Sequence, residues 1–147
     1  MEGFTLETQL EMAINIAVKY HANQKDKAGM PYIVHPLWVM SNVEDIKCKI
    51  VAALHDLVED TEVKIYDLAM YGFDPDIVEA IKVLTKPKQQ KYMNYIEQVN
   101  KNEIARNVKI ADLKHNMDLS RLNNITDKDL KRVEKYKKAY DLLMRGL

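Results

Sequence analysis

Ile50-Val51-Ala52-Ala53-Leu54-His55-Asp56-Leu57-Val58-Glu59-Asp60 is an apolar run interrupted twice by adjacent ionisable residues. From Glu44 to about Asp60, Ile50, Val51, Leu54 and Val58 recur at helical intervals, which predicts one helix with a buried stripe. At about 100° per residue, positions 55, 56, 59 and 60 of such a helix fall within an arc of roughly 140°. Four ionisable side chains then share one face beside the stripe. Either that face is solvated, or it carries a metal. Imidazole and carboxylate suit a borderline or hard divalent cation, and the further carboxylates can position and deprotonate its water.

The rest of the chain is read in the same terms. Leu6, Leu10, Ala13, Ile14, Ala17 and Val18 predict a helix capped by Thr5 and running to about Asn23. Between Gln24 and Val34 the pattern breaks around Gly29 and Pro31, leaving a polar, Lys-bearing loop of the kind that often carries function. A short helix is expected around Pro36 to Met40. Gly72 closes the next, and Asp74-Pro75 reads as an N-cap with a first-turn proline, opening a helix that Pro87 ends. Three more are expected over Tyr92 to Val99, Asn102 to about Ser120 and Thr126 to Met144. No segment of convincing strand period, fixed repeat or linker is visible, so 1–147 is expected to form a single all-α domain of seven or eight helices.

Composition narrows the function classes. The 147 residues, 47% of them hydrophobic, suffice for one domain with a real core. Lys and Arg number 22, against 22 Asp and Glu, so the chain lacks the bulk charge by which non-specific nucleic-acid or anionic-membrane binders attract their partners. An anionic ligand must therefore meet a local site. The mildly basic, amphipathic segment from Thr126 to Leu147 is better read as a solvated closing helix than as a nucleic-acid contact. There is no apolar run of about 18 residues, and the N-terminus, with Glu2, has no basic segment leading into an apolar block. With Cys48 the only cysteine, the expectation is a cytoplasmic protein without membrane span or disulfides. Cys48, the eight Met and Trp38 are expected to pack; the oligomeric state stays open.

Only four histidines exist: His21, His35, His55 and His115. His35 lies in Tyr32-Ile33-Val34-His35-Pro36, between loop and helix. Asp112 is embedded in Val108-Lys109-Ile110-Ala111-Asp112-Leu113-Lys114-His115-Asn116, too far inside a helix to be a cap, with Asn116 one turn later on the same face.

The order His35, His55-Asp56, Asp112 resembles the signature of the HD superfamily of metal-dependent phosphohydrolases. The words His21-Ala22-Asn23-Gln24, Gly29-Met30-Pro31-Tyr32-Ile33-Val34-His35-Pro36, Ala53 to Thr61, Leu84-Thr85-Lys86 and Val108 to Asp112 are similar to the hydrolase domain of the RelA/SpoT family and its short stand-alone homologues. The likeness covers His21 to about Arg121. It implies an HD-domain helical fold and hydrolysis of the 3′-diphosphate of (p)ppGpp, a small nucleotide, with manganese or another divalent ion such as iron or zinc. It further implies that His35, His55, Asp56 and Asp112 hold the metal, that Glu59 and Asp60 handle the water, and that Asn116 lines the site. Substrate phosphates need cations, for which Lys25, Lys27, Lys86, Lys88 and Arg132 are the candidates; Tyr136, four residues after Arg132, offers a ring to base or ribose, and the pair resembles one that borders the nucleotide pocket of the short homologues. Other HD proteins hydrolyse nucleoside monophosphates or the 2′-phosphate of NADPH, and a non-catalytic regulatory module is the rival of another class.

The chain departs from the family in two places. Asp26-Lys27-Ala28-Gly29 puts an acid where the family has a basic pair, so Asp26 is expected to turn away from the diphosphate or to pair with Lys25 or Lys27. Asp112-Leu113-Lys114-His115-Asn116 replaces the family's Asp-Arg-Leu-His-Asn.

Overall fold

The helix through the central apolar run is buried on every side, not along one stripe. In α3 (Ile46–Leu54) Cys48 and all five residues from Ile50 to Leu54 are buried, Ala52 and Ala53 as completely as Ile50. A helix apolar all round must be surrounded. It is packed by α1 (Leu6–Tyr20), α2 (Val34–Ser41), α6 (Pro75–Leu84) and α8 (Glu103–Asn116). The computed structural model describes residues 3–146; Glu2, used above in reading the N-terminus, and Leu147 lie outside the described residues.

The continuous helix expected from Glu44 to Asp60 is not formed. α3 stops at Leu54, His55-Asp56 makes a turn, and one further helical turn, α4 (Leu57–Asp60), follows. The reason is local: the His55 ring folds back so that Nδ1 meets the Ala52 carbonyl at 2.5 Å, giving a terminal carbonyl of α3 a side-chain partner. The common helical face argued for positions 55, 56, 59 and 60 therefore does not exist. The residues converge by a kink.

The remaining helices are α5 (Ile65–Tyr71), α7 (Tyr92–Asn100) and α9 (Asp127–Arg145), with a 3-10 turn at Leu119–Arg121. Among the described residues eight helices have seven residues or more and no strand forms, in line with the all-α expectation. Thr5 caps α1 by accepting from the Thr8 N–H, and Gly72 closes α5 at φ 99°, a left-handed angle that suits glycine. Asp74 does not cap α6 with its side chain. Its Oδ1 accepts from Gln9 Nε2 while its N–H donates to Gln9 Oε1, which satisfies a glutamine buried in the core. Nor does Pro87 end α6: the helix stops at Leu84, where the Thr85 hydroxyl donates to the Ile81 carbonyl. α8 ends at Asn116, short of Ser120, because Asp118 starts the 3-10 turn by accepting from the Ser120 N–H. No described helix is long and apolar enough to cross a membrane.

Candidate metal centre and substrate cavity

Three segments deliver four donor atoms to a single buried point. His35 comes from the first turn of α2, His55 and Asp56 from the kink after α3, and Asp112 from α8. Their donor atoms lie within 4.8 Å of one another. Asp112 Oδ1 is 2.7 Å from His35 Nε2 and 3.2 Å from His55 Nε2, and Asp56 Oδ2 is 3.0 Å from His55 Nε2. Two carboxylates and two imidazoles at these separations must share protons or a cation, because lone pairs facing lone pairs repel.

The surroundings fix which atoms face inward. A carbonyl only accepts, so His55 Nδ1 carries a proton toward Ala52 and Nε2 is the ring nitrogen turned to the cluster, the one that would offer its lone pair to a metal. His35 Nδ1 meets His115 Nδ1 at 2.7 Å with ring planes 12° apart, an edge-to-edge pair. Burial, then the His35 and Arg121 charges, push His115 down to about 4, so it is neutral and can accept from His35 Nδ1–H. His115 is itself stacked on Trp38 at 4.4 Å. Asp112 gives its second oxygen to Lys109 Nζ at 2.8 Å, and Asn116 Nδ2 donates to Oδ1 at 3.2 Å. Burial alone would raise the Asp112 carboxyl; Lys109 and the imidazoles hold it well below the usual carboxylate range. The Tyr32 hydroxyl donates to Asp56 Oδ2. Every donor is thus oriented from behind, as in proteins that hold a divalent cation, and the donor set fits such an ion.

The cluster opens into a cavity lined on one part by Asp56, Glu59, Asp60 and Asp112 and elsewhere by Lys86, Lys109, Lys135, Tyr92, Tyr95 and Tyr136. Glu59 accepts from the Lys86 N–H at 2.6 Å. Burial first, then the Asp56 charge, raise the Asp60 carboxyl, and burial raises that of Glu59 against the Lys86 hydrogen bond. Such carboxyls are better proton acceptors than exposed ones.

A second, less polar hollow shares Tyr32, Asn116 and Tyr136 with the first. Lys25, Asp26, Lys27 and Arg132 stand around it with Leu119, Leu122 and Val133. Here the expected pairing of Asp26 with Lys25 or Lys27 is replaced. Asp26 Oδ1 accepts from the Ala28 and Met30 N–H groups, both at 2.9 Å, and Oδ2 faces Arg121 at 3.4 Å. The acid shapes its own loop and ties it to the 3-10 turn. Arg132 is held by Asp129 at 3.0 Å. Lys88 is exposed and lines neither hollow.

Of the thirteen site residues named in the sequence, all but Lys88 therefore meet in one region. Tyr32, Lys109, His115, Tyr92, Tyr95 and Lys135 join them without having been singled out. Lys109 and His115 flank Asp112 at three residues on either side, so helical spacing from that aspartate was the available signal. Tyr92 and Lys135 arrive from α7 and α9 by tertiary packing, for which the sequence carries no local sign.

No protein-family model matches the chain. It is 32% identical over 148 residues to the GTP pyrophosphokinase of Streptomyces coelicolor, covering 92% of this chain and 16% of that protein. The chain thus spans about a sixth of the length of the pyrophosphokinases it matches. With the guanosine-3′,5′-bis(diphosphate) 3′-pyrophosphohydrolase MESH1 of Danio rerio it shares 30% over 149 residues, covering 91% of this chain and 81% of that one. The solved structure of a metazoan ortholog of SpoT, described as hydrolysing ppGpp, superposes with a TM-score of 0.76 over 94% of this chain and 86% of that one, at 24% identity, and shares the fold. The chain belongs to the HD-type, RelA/SpoT-like family of guanosine-3′,5′-bis(diphosphate) 3′-pyrophosphohydrolases.

Proposed function

We propose that the chain is a metal-dependent hydrolase that removes the 3′-diphosphate of guanosine-3′,5′-bis(diphosphate), with manganese as its ion, acting as one HD domain in the cytoplasm. The observation that carries this reading is the convergence of His35, His55, Asp56 and Asp112 at the floor of a cavity that Glu59 and Asp60 also line. The names of the MESH1-type relatives support the substrate. The equal share of imidazole and carboxylate supports manganese, which accepts both. The shared core of α1, α2, α3, α6 and α8 supports a single domain.

A divalent ion at this cluster would supply charge stabilisation to a phosphate oxygen and make water a stronger nucleophile at neutral pH. The chain's residues do the rest. Glu59, fixed by the Lys86 N–H, takes a proton from the attacking water, and Asp60 beside it orients that water. The water oxygen bonds to the phosphorus next to the ribose, the bond from that phosphorus to the 3′-oxygen breaks, and the 3′-oxygen takes a proton. Pyrophosphate and the 5′-nucleotide leave. Lys86 faces the phosphates, while Lys25, Lys27, Arg132, Asn116 and Tyr136 surround the nucleoside and its 5′-phosphates.

The test is turnover by manganese-loaded protein of a panel containing (p)ppGpp, NADPH and nucleoside monophosphates, read by chromatography. Release of pyrophosphate with GDP or GTP is expected. Release of inorganic phosphate from NADPH or a monophosphate, with (p)ppGpp untouched, would replace the substrate; an inert panel would put a regulatory module in its place.

A further inference from the structure

The cavity contains more cationic and hydroxyl chemistry than the metal cluster and its water need. Lys135, on α9, places its ammonium 4.4 Å from the centre of the Tyr92 ring and 5.6 Å from that of Tyr136. Both rings and Lys135 line the same cavity as Glu59 and Asp112. The other cations nearby are already engaged. Lys109 pairs with Asp112, Arg132 with Asp129, and the Lys86 ammonium donates to the Pro87 carbonyl. Lys135 makes no ion pair among the described residues. Desolvation of its ammonium, and then the Lys86, Arg132 and Lys109 charges, push it below the ordinary lysine range. The Tyr92 hydroxyl adds a second observation: its oxygen is buried and has no hydrogen-bond partner. An ammonium crowded by like charge and a buried hydroxyl lacking a partner are both satisfied by one anion with several oxygens.

We propose that Lys135 and Tyr92 form a subsite for the terminal phosphate of the scissile diphosphate, the one farther from the ribose, and that this subsite makes the chain prefer a diphosphate over a phosphate monoester. The inference rests on the phosphohydrolase reading above. In a monoester the single phosphate is spent at the metal cluster and its attacking water, and nothing reaches Lys135. A diphosphate extends one phosphoric anhydride link farther, and its terminal group carries enough charge to offset the crowding of Lys86, Lys109 and Lys135. Tyr92 donates its hydroxyl hydrogen to that group, and Lys135 supplies charge. Neither residue touches the bond that breaks, so their contribution is to binding.

The experiment compares wild type, Lys135→Gln, Lys135→Arg and Tyr92→Phe. Lys135 is exposed to solvent and Phe keeps the ring of Tyr92, and circular dichroism checks that each variant folds. Calorimetry on manganese-loaded protein measures binding of inorganic pyrophosphate and of inorganic phosphate. Lys135→Gln is expected to weaken pyrophosphate by about tenfold or more and phosphate by less than twofold, Tyr92→Phe to weaken pyrophosphate by about threefold, and Lys135→Arg to restore most of the affinity. In turnover, Lys135→Gln should raise KM for ppGpp about tenfold with kcat within about twofold. Equal weakening of both anions, or of neither, overturns the subsite. If wild type turns over no nucleotide, the function proposed above has failed, and selective loss of pyrophosphate in the variants still upholds the subsite.

Discussion

The two ends of the cavity are built on opposite plans. At the metal end the donors sit on α2, α8 and the kink after α3. All but Asp56 are essentially buried, and each is braced by a second residue: His35 by His115, His55 by Ala52, Asp112 by Lys109 and Asp56 by Tyr32. At the end proposed for the nucleoside the side chains stand on a loop, a 3-10 turn and one face of α9, and their charges are matched locally, Asp26 to Arg121 and Arg132 to Asp129. The first end is buried and braced, the arrangement that holds charge in place as it develops; the second is a more exposed rim. Chemistry should therefore be lost in large steps at one end and affinity in small steps at the other.

The largest effect is expected from Glu59→Gln. Glu59 is not among the four converging donors, so the variant should keep its full complement of manganese and lose kcat by about 10² or more. Steady-state kinetics beside elemental analysis checks this; parallel loss of metal and rate would make Glu59 a ligand and blur the comparison. Next comes the bracing. His115→Phe keeps a ring against Trp38 but removes the acceptor for His35 Nδ1, so manganese affinity should fall by about 10–100-fold while the fold stays intact. A competition titration with a chelator measures it, and an unchanged affinity would show that His35 needs no brace.

At the rim the numbers shrink. Arg132→Ala should raise KM for ppGpp by about tenfold with little change in kcat, the signature of binding shared by ground and transition states. A fall in kcat of similar size would move Arg132 to the chemical end. Asp26→Arg is expected to change turnover by no more than about threefold. It should lower the melting temperature by a few degrees, since it removes two backbone hydrogen bonds and an ion pair worth about 1 kcal/mol each at most. A marked gain in (p)ppGpp hydrolysis would instead mean that Asp26 was opposing the diphosphate.

The same division explains what could be read from the sequence. Ionisable residues inside apolar runs, such as His55-Asp56 and Asp112, are conspicuous because burial demands a reason for them. The rim gives no such contrast: a lysine on α9 looks like any solvated lysine until tertiary packing sets Lys135 beside Tyr92. The expectation failed at the kink for a related reason. Periodicity over Glu44 to Asp60 is blind to a side chain that takes a backbone carbonyl, as His55 does from Ala52. Likewise the sequence could offer Lys25 and Lys27 as partners for Asp26, whereas Arg121 is brought there only by the turn after α8.

The central claim is that four donors from three distant parts of the chain hold one divalent ion. Elemental analysis of manganese-loaded, gel-filtered protein tests it directly, with Asp112→Ala and the near-isosteric Asp112→Asn alongside and circular dichroism confirming that they fold. One manganese per chain in wild type and essentially none in either variant is predicted. Absence of bound manganese from folded wild type, or full stoichiometry in both variants, would contradict the account.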